Sequence, residues 1–334
     1  MIITIKRAIL HILDGLSGVS VFSDSELDVT DQSVAAFITK HIEKVYDDSG
    51  LRTGEFNPTS GFKYHMTEYL NGECDLHTFS LHIAEKMYEA VCSSDKIDSS
   101  DLLICDCIIS DVPVIAVLKC DNKQGYTHQV VQNDGKIFNE IINHHAILPS
   151  TSQKISECAF VNLNDMSVKY KGKKRSIDGE SVDLIADVVL EGVFDISAKE
   201  SFNAVRKIAK TIAQDNGHDS IETEVKLKKY VVDSAVEEHF IEPAEMAKAV
   251  FDSSPTMREE FMEKVQNANV PEKVEINEYV SKKATGNIKL TTDIGVELSF
   301  PADYYSDGEH INIINNNDGT LSIQINRIGE IKNK

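Results

Sequence analysis

Asp106 and Lys119 are the only charged residues in two otherwise apolar runs, LLICDCII at 102–109 and PVIAVLKC at 113–120. An acid on one strand and a lysine on the next is the pairing with which restriction-type nucleases hold a divalent cation and activate water. A tight hairpin between the two runs would set Asp106 and Lys119 on one face, a single diagonal apart. The acid-x-Lys slot, however, reads Val117-Leu118-Lys119, so its carboxylate is missing, although Asp121 follows the lysine. Catalytic metal sites need several oxygen ligands. A structural ion pair is therefore the stronger expectation, with metal-dependent cleavage as the alternative.

Basic residues offer different chemistry. Lys169, Lys171, Lys173, Lys174 and Arg175 place five cations within seven residues, with Tyr170 interleaved. Each such side chain can neutralise a backbone phosphate and release its counterions. A following helix with Phe202, Val205, Ala209 and Ile212 on its apolar stripe puts Lys199, Arg206, Lys207 and Lys210 on the other side. Lys226, Lys228 and Lys229 form a third group. The competing reading is that these are solvated faces, or a hairpin edge guarded by lysines against aggregation.

Soft metal donors are present but poorly spaced. Cys105 and Cys107 share one side of their strand, and Cys74, His77, His82, His144 and His145 lie elsewhere. A C-x-C pair inside a buried strand reads as small core residues, because structural zinc sites favour C-x(2–4)-C pairs on turns. His11 and His41 fall in apolar patterns and read as hydrogen-bonded structural histidines. The phosphate-loop pattern G-x-x-x-x-G-K-[ST], the dinucleotide pattern G-x-G-x-x-G and the nucleophile elbow G-x-S-x-G are all missing from the sequence. The sequence thus assigns no catalytic residue, no metal and no cofactor.

These residues need a scaffold, and the 334-residue chain is long enough for two domains. Its 34 basic and 54 acidic residues give a net charge of −20, which excludes a uniform nucleic-acid coat and confines any phosphate contact to a local patch. No apolar run approaches a membrane span. His11 and Asp14 interrupt the apolar start, so a secretory signal does not fit and a cytoplasmic location with reduced cysteines is expected.

Alternation at Ile3 and Ile5 predicts an opening strand, and Val34, Phe37, Ile38, His41 and Val45 predict a helix capped by Thr30 or Asp31. Gly54, Pro58 and Gly61 make Leu51–Asn71 read as loop, with a second helix from about Asp75. The 102–120 runs predict a hairpin buried on both faces, and 160–170 a second hairpin around Asn164-Asp165. The basic loop 171–175 marks a composition shift, which divides the chain into an N-terminal α+β domain, 1–170, and a C-terminal domain, 171–334. In the latter, helices are expected over about 198–268, broken at Gly217, Pro243 and Pro255. An antiparallel meander over about 286–328 turns at Asp307-Gly308 and Asp318-Gly319. The fold class is α+β.

The opening IKRAILHILD with FSDSELDV, the hairpin LLICDCIISDVPVIAVLKCDNKQGYTH and the terminal block VELSFPADYYSDGEHINIINNNDGTLSIQINRI together resemble the bacterial nucleoid-associated protein family of the NdpA (YejK) type. The resemblance runs over nearly the whole chain. It implies a cytoplasmic, nucleoid-located protein of the bacterial chromosome with no established catalytic activity. The reading of the sequence is therefore non-specific binding of duplex DNA through residues 169–175 and 199–210. The acidic remainder stays free for a protein partner, of which a basic DNA enzyme such as a topoisomerase is one kind. Association with DNA only through another protein is a further alternative, and exposed meander edges point to a symmetric homodimer.

Overall fold

Ser110 and Asp111 both take positive φ, 46° and 69°, the two-residue turn whose twist matches that of flanking antiparallel strands. It closes the hairpin expected between the two apolar runs and pairs Leu102 with Lys119 and Asp106 with Ile115. The computed structural model describes residues 1–306, 309–316 and 320–331.

In chain order the first unit contains β1 (Ile3–Asp14), β2 (Val19–Val21), α1 (Gln32–Val45), β3 (Arg52–Phe56), α2 (Gly61–Leu70) and α3 (Leu76–Cys92). It continues through β4 (Ser99–Ile109), β5 (Val112–Asp121), β6 (Lys123–Asn133), β7 (Lys136–Ile147), β8 (Glu157–Asn162), β9 (Val168–Lys171), β10 (Lys174–Ile177) and β11 (Glu180–Asp183). A π-helical stretch, Leu184–Leu190, and β12 (Gly192–Phe194) complete it.

Eight of these strands form one sheet in the order β12-β3-β9-β8-β5-β4-β1-β2, every pairing antiparallel. β4 and β5 are interior strands and are covered on both faces, which is why their sequences are almost continuously apolar. On one face Ile38, Ile42 and Val45 of α1 pack over Leu103, Cys105, Cys107, Ala116, Leu118 and Cys158. On the other, Phe62 and Met66 of α2, Phe79, Ile83 and Met87 of α3 and Leu184, Val189 and Leu190 cover Leu102, Ile104, Ile115 and Val117. The buried cysteines are thus small side chains of the α1-side core. His11 and His41 are buried and hydrogen-bonded, His11 to Ser80 Oγ at 2.9 Å and His41 to the Pro149 carbonyl at 3.2 Å.

Two expectations need correction here, and one element was not anticipated. The segment 51–71 is not a loop but carries β3 and α2. Gly54 lies where Val193 and Phe194 pack directly against the strand, Ser60 caps α2, and Phe62 and Met66 supply its i, i+4 apolar pair. The compact units divide after Phe194, not near 171. Residues 172–194 belong to the first because β12 pairs with β3 and the π-helical stretch fills the α3-side core. A long hairpin, β6–β7, occupies a stretch to which the sequence reading assigned no element.

The second unit begins at Asp195. It contains α4 (Ala198–Asp215), α5 (Ser220–Glu237), β13 (Phe240–Ile241), α6 (Pro243–Val250), α7 (Pro255–Asn267), β14 (Val274–Glu275) and α8 (Glu278–Thr285). After these come β15 (Ile288–Thr291), β16 (Glu297–Phe300), α9 (Asp303–Ser306), β17 (Ile311–Asn315) and β18 (Leu321–Ile325). The expected helices are present between 198 and 267, with Pro243 and Pro255 in first turns, where a missing N–H costs nothing. The terminal strands pair as two separate hairpins, β15–β16 and β17–β18, rather than one meander. The turns expected at Asp307-Gly308 and Asp318-Gly319 lie outside the described residues.

Candidate nucleic-acid interface

The basic run at 169–175 divides by side-chain direction. Tyr170 points into the α3-side core, so Lys169 and Lys171 emerge on the α1 side, Lys169 over the Tyr46 ring at 5.3 Å. At Gly172 any side chain would run into the buried Asp183 carboxylate, which caps the π-helical stretch by accepting the Ile185 and Ala186 N–H groups. That close approach turns the chain from β9 into β10 and returns Lys173 and Arg175 to the end of the sheet, where β5 ends and β8 begins.

Lys119 stands there too. Its buried ammonium lies 2.5 Å from Asp121 Oδ1, 3.1 Å from Asp98 Oδ2 and 3.2 Å from Glu157 Oε2. Arg175 bridges the same acids, with Nη1 3.3 Å from Asp98 and Nη2 3.1 and 3.2 Å from the two oxygens of buried Glu157. Burial pushes the Lys119 ammonium down, but Glu157, Asp121 and Asp98 together more than offset it and raise its pKa. Burial likewise works against ionised Asp121, and the charge of Lys119 reverses it, holding this carboxyl below its ordinary range. The oxygens of Asp98, Asp121 and Glu157 lie within 4.8 Å of one another, and the ammonium of Lys119 already sits among them.

The Asp106–Lys119 pairing is therefore a correction. The two do share a face, but Lys119 is opposite Leu102, four residues along from Asp106, or about 13 Å at a strand's rise. Asp106 instead accepts the Tyr69 hydroxyl at 2.7 Å and lies 3.7 Å from Lys6.

Beside the Lys119 cluster is a pocket of about 180 Å³ lined by Lys119, Lys123, Lys154 and Lys173 and by a single carboxylate, Asp121, together with Pro149, Gln153, Ile155 and Ser156. Lys173 lies 3.8 Å from Asp121, while Lys123 and Lys174 are exposed and make no ion pair among the described residues. Lys154 and Lys171 share Asp48, the latter at 3.1 Å. Lys123 and Lys154 were missed by the sequence reading. Lys123 stands just past the apolar run of β5, and nothing near Lys154 in the chain signals its approach to Asp48 and Lys171.

Asp48 carries a pH prediction. Burial works against its ionised form, yet Lys154, the Gly50 N–H and Lys171 hold its pKa down at about 2. A carboxyl depressed on folding stabilises above its unfolded pKa and loses that contribution as pH falls through the folded one. Stability from Asp48, about 1–2 kcal/mol after allowing for the exposed Lys154 end, should disappear between about pH 4 and pH 2. Urea titrations of Asp48→Asn should lack that component of the acid transition; an unchanged acid limb would refute the assignment.

In the second unit, the helix residues are engaged internally. Arg206 Nε lies 2.6 and 2.9 Å from the oxygens of buried Glu224 on α5, and Lys210 lies 3.2 Å from the same carboxylate. Lys199 lies over the Tyr279 ring at 5.2 Å, and Lys207 is exposed. Lys226 bridges Glu222 and Asp252, and buried Lys228 donates to the Gly286 carbonyl. The expectation that Arg206 and Lys210 lie on a free solvated face is thus corrected. Reversing both to Glu strands Glu224 beside two new acids and should cost roughly 2–4 kcal/mol. Chemical denaturation monitored on the second unit tests this, and a loss below about 0.5 kcal/mol, the level of an ordinary surface change, would contradict it.

Among the described residues no helix is long and apolar enough to cross a membrane. A search of curated proteins finds no match to the chain. A family model described as nucleoid-associated protein YejK matches residues 9–332.

Proposed function

Since this chain belongs to the nucleoid-associated protein YejK family, we propose that it binds duplex DNA, largely without regard to base sequence, at the lysine-lined end of the N-terminal sheet. The observation that carries the reading is the pocket where exposed Lys123, Lys154 and Lys173 gather beside the already paired Lys119 in a chain of net charge −20. Such a local excess suits phosphates, while the acidic remainder is repelled by them and keeps contact to one side. Lys123, Lys154, Lys173 and Lys174 make the phosphate contacts, with Lys169 and Lys171 flanking them. Lys119 and Arg175 act as the platform, because their charges are already committed to Asp98, Asp121 and Glu157. Of the α4 residues, exposed Lys199 and Lys207 are retained as candidate contacts.

The protein acts by contact and needs no cofactor. Its setting is the cytoplasmic nucleoid, and its acidic surface fits a basic DNA enzyme, such as a topoisomerase, as partner. The test is a salt series with plain duplexes of two unrelated sequences, with and without Mg²⁺. The two sequences should bind alike, with affinity falling linearly on logarithmic axes at about 0.9 per phosphate contact. A flat salt dependence would defeat the reading in favour of indirect association, and Mg²⁺-dependent nicking would defeat its non-enzymatic part.

A further inference from the structure

A groove of about 380 Å³ lies in the first unit between α3, the β10–β11 hairpin and the π-helical stretch. The Asp95 N–H donates to the Ser176 carbonyl at 3.0 Å and ties the hairpin to the chain leaving α3. Lys86, Glu89, Ala90 and Ser93 recur at three and four residues, so one face of α3 lines the groove over about 10 Å. The floor is apolar, formed by half-buried Ala90, Ile177, Val182 and Val188. The rim is acidic. Among the described residues, exposed Glu89, Asp178 and Asp187 make no ion pair, and the one lysine lining the groove, Lys86, is already paired with Glu191. This is the inverse of the lysine-lined pocket at the end of the sheet: here three carboxylates lack a cation.

We propose that the groove binds a linear aliphatic polyamine, its methylenes on the apolar floor and its ammonium groups on the carboxylates of the rim. Charge excludes an anion. Spacing excludes a compact divalent cation, which needs several oxygens converging on one point. Among the described residues, the one group of three acidic, histidine or cysteine ligands within 4.8 Å of one another is Asp98, Asp121 and Glu157, so Glu89, Asp178 and Asp187 do not converge. Separated carboxylates match separated ammonium groups, each pair gaining a charge-assisted hydrogen bond. A hydrated inorganic ion would also leave the floor in water, whereas a methylene chain covers it as the stem of a lysine covers an apolar surface.

Calorimetric titration of the full chain with spermidine, without DNA and at constant ionic strength, should give one saturable site that Mg²⁺ does not displace. Glu89→Gln with Asp178→Asn should weaken spermidine binding by about tenfold or more, a decade being close to the worth of one charge-assisted hydrogen bond. The urea transition should be unchanged, since both side chains are exposed and unpaired and asparagine tolerates the φ of 51° at Asp178. Glu259→Gln with Glu263→Gln, which removes two exposed acids of α7, should leave the affinity as it was. The absence of a saturable site, equal weakening by the two pairs of substitutions, or displacement by Mg²⁺ would each overturn the proposal, because the cation would then be condensed diffusely on an acidic chain. An oligolysine peptide that binds with the same dependence on Glu89 and Asp178, while spermidine does not bind, would also overturn it and give the groove to a basic protein segment. None of these readouts involves DNA, so they stand whatever the outcome of the duplex titration.

Discussion

Replacing Lys119 by methionine is expected to destabilise the first unit by about 3–5 kcal/mol, the range for breaking a buried ion pair from one side. The methionine fills the space but leaves Asp98, Asp121 and Glu157 facing one another at the end of the sheet, with Glu157 almost wholly buried. Arg175 keeps its two bonds to Glu157, which points to the lower end of the range. The penalty should depend on pH in a definite direction. In the parent chain the charge of Lys119 holds the Asp121 carboxyl below its ordinary range, a contribution present above the unfolded pKa and lost as pH falls through the folded one, so the variant should approach the parent in acid. Adding Glu157→Gln to Lys119→Met should recover part of the loss at neutral pH. Urea unfolding followed across pH reads all three outcomes. A loss under about 1 kcal/mol, in the range of exposed ion pairs, would show that the cluster is not the structural platform described.

Neutralising Lys123, Lys154, Lys173 and Lys174 together by glutamine should flatten the logarithmic salt slope of duplex binding by about 3–4, at 0.9 per lost contact. At low salt this corresponds to an affinity loss of several orders of magnitude, whatever the base sequence. The fold should tolerate the change. All four side chains are exposed; the ion pair of Lys173 with Asp121 is of the solvent-screened kind that contributes about 0–1 kcal/mol, and losing Lys154 removes only part of the contribution of buried Asp48, which Lys171 and the Gly50 N–H still hold. Lys207→Gln in the second unit is the comparison, expected to change the slope by no more than one contact. If the fourfold variant stays folded and binds with the parent's slope, the pocket is not where phosphate is held.

Much of the scaffold was legible in the sequence because it is written in short-range patterns. The β4–β5 hairpin follows from two apolar runs and a two-residue turn, α1 from its spacing behind Asp31, and the helices from 198 to 267 from apolar stripes between prolines and Gly217. The family resemblance rests on the same order of segments, and the match over residues 9–332 agrees with it. Glycine and proline misled where tertiary contacts gave them another use. Gly54 is required by close packing of Phe194 rather than by a loop, and Gly61 opens a helix rather than preventing one.

The charges were a different matter. Sequence placed Lys171 and Arg175 in a basic run, but Asp48 lies 123 residues from Lys171, and Asp98 lies 77 from Arg175. Lys119 is two residues from Asp121 but 21 from Asp98, and it was first matched to an acid on the neighbouring strand that it does not reach. Backbone preference and the direction of a side chain are set by covalent neighbours within a turn or a strand. The potential at a lysine is set by whichever carboxylates folding brings within a few ångströms. The sequence therefore determined which residues are cations and on what element each is carried. Only the tertiary structure decided that Lys119, Arg175, Arg206 and Lys210 are engaged with carboxylates, while Lys123 and Lys174 make no ion pair among the described residues.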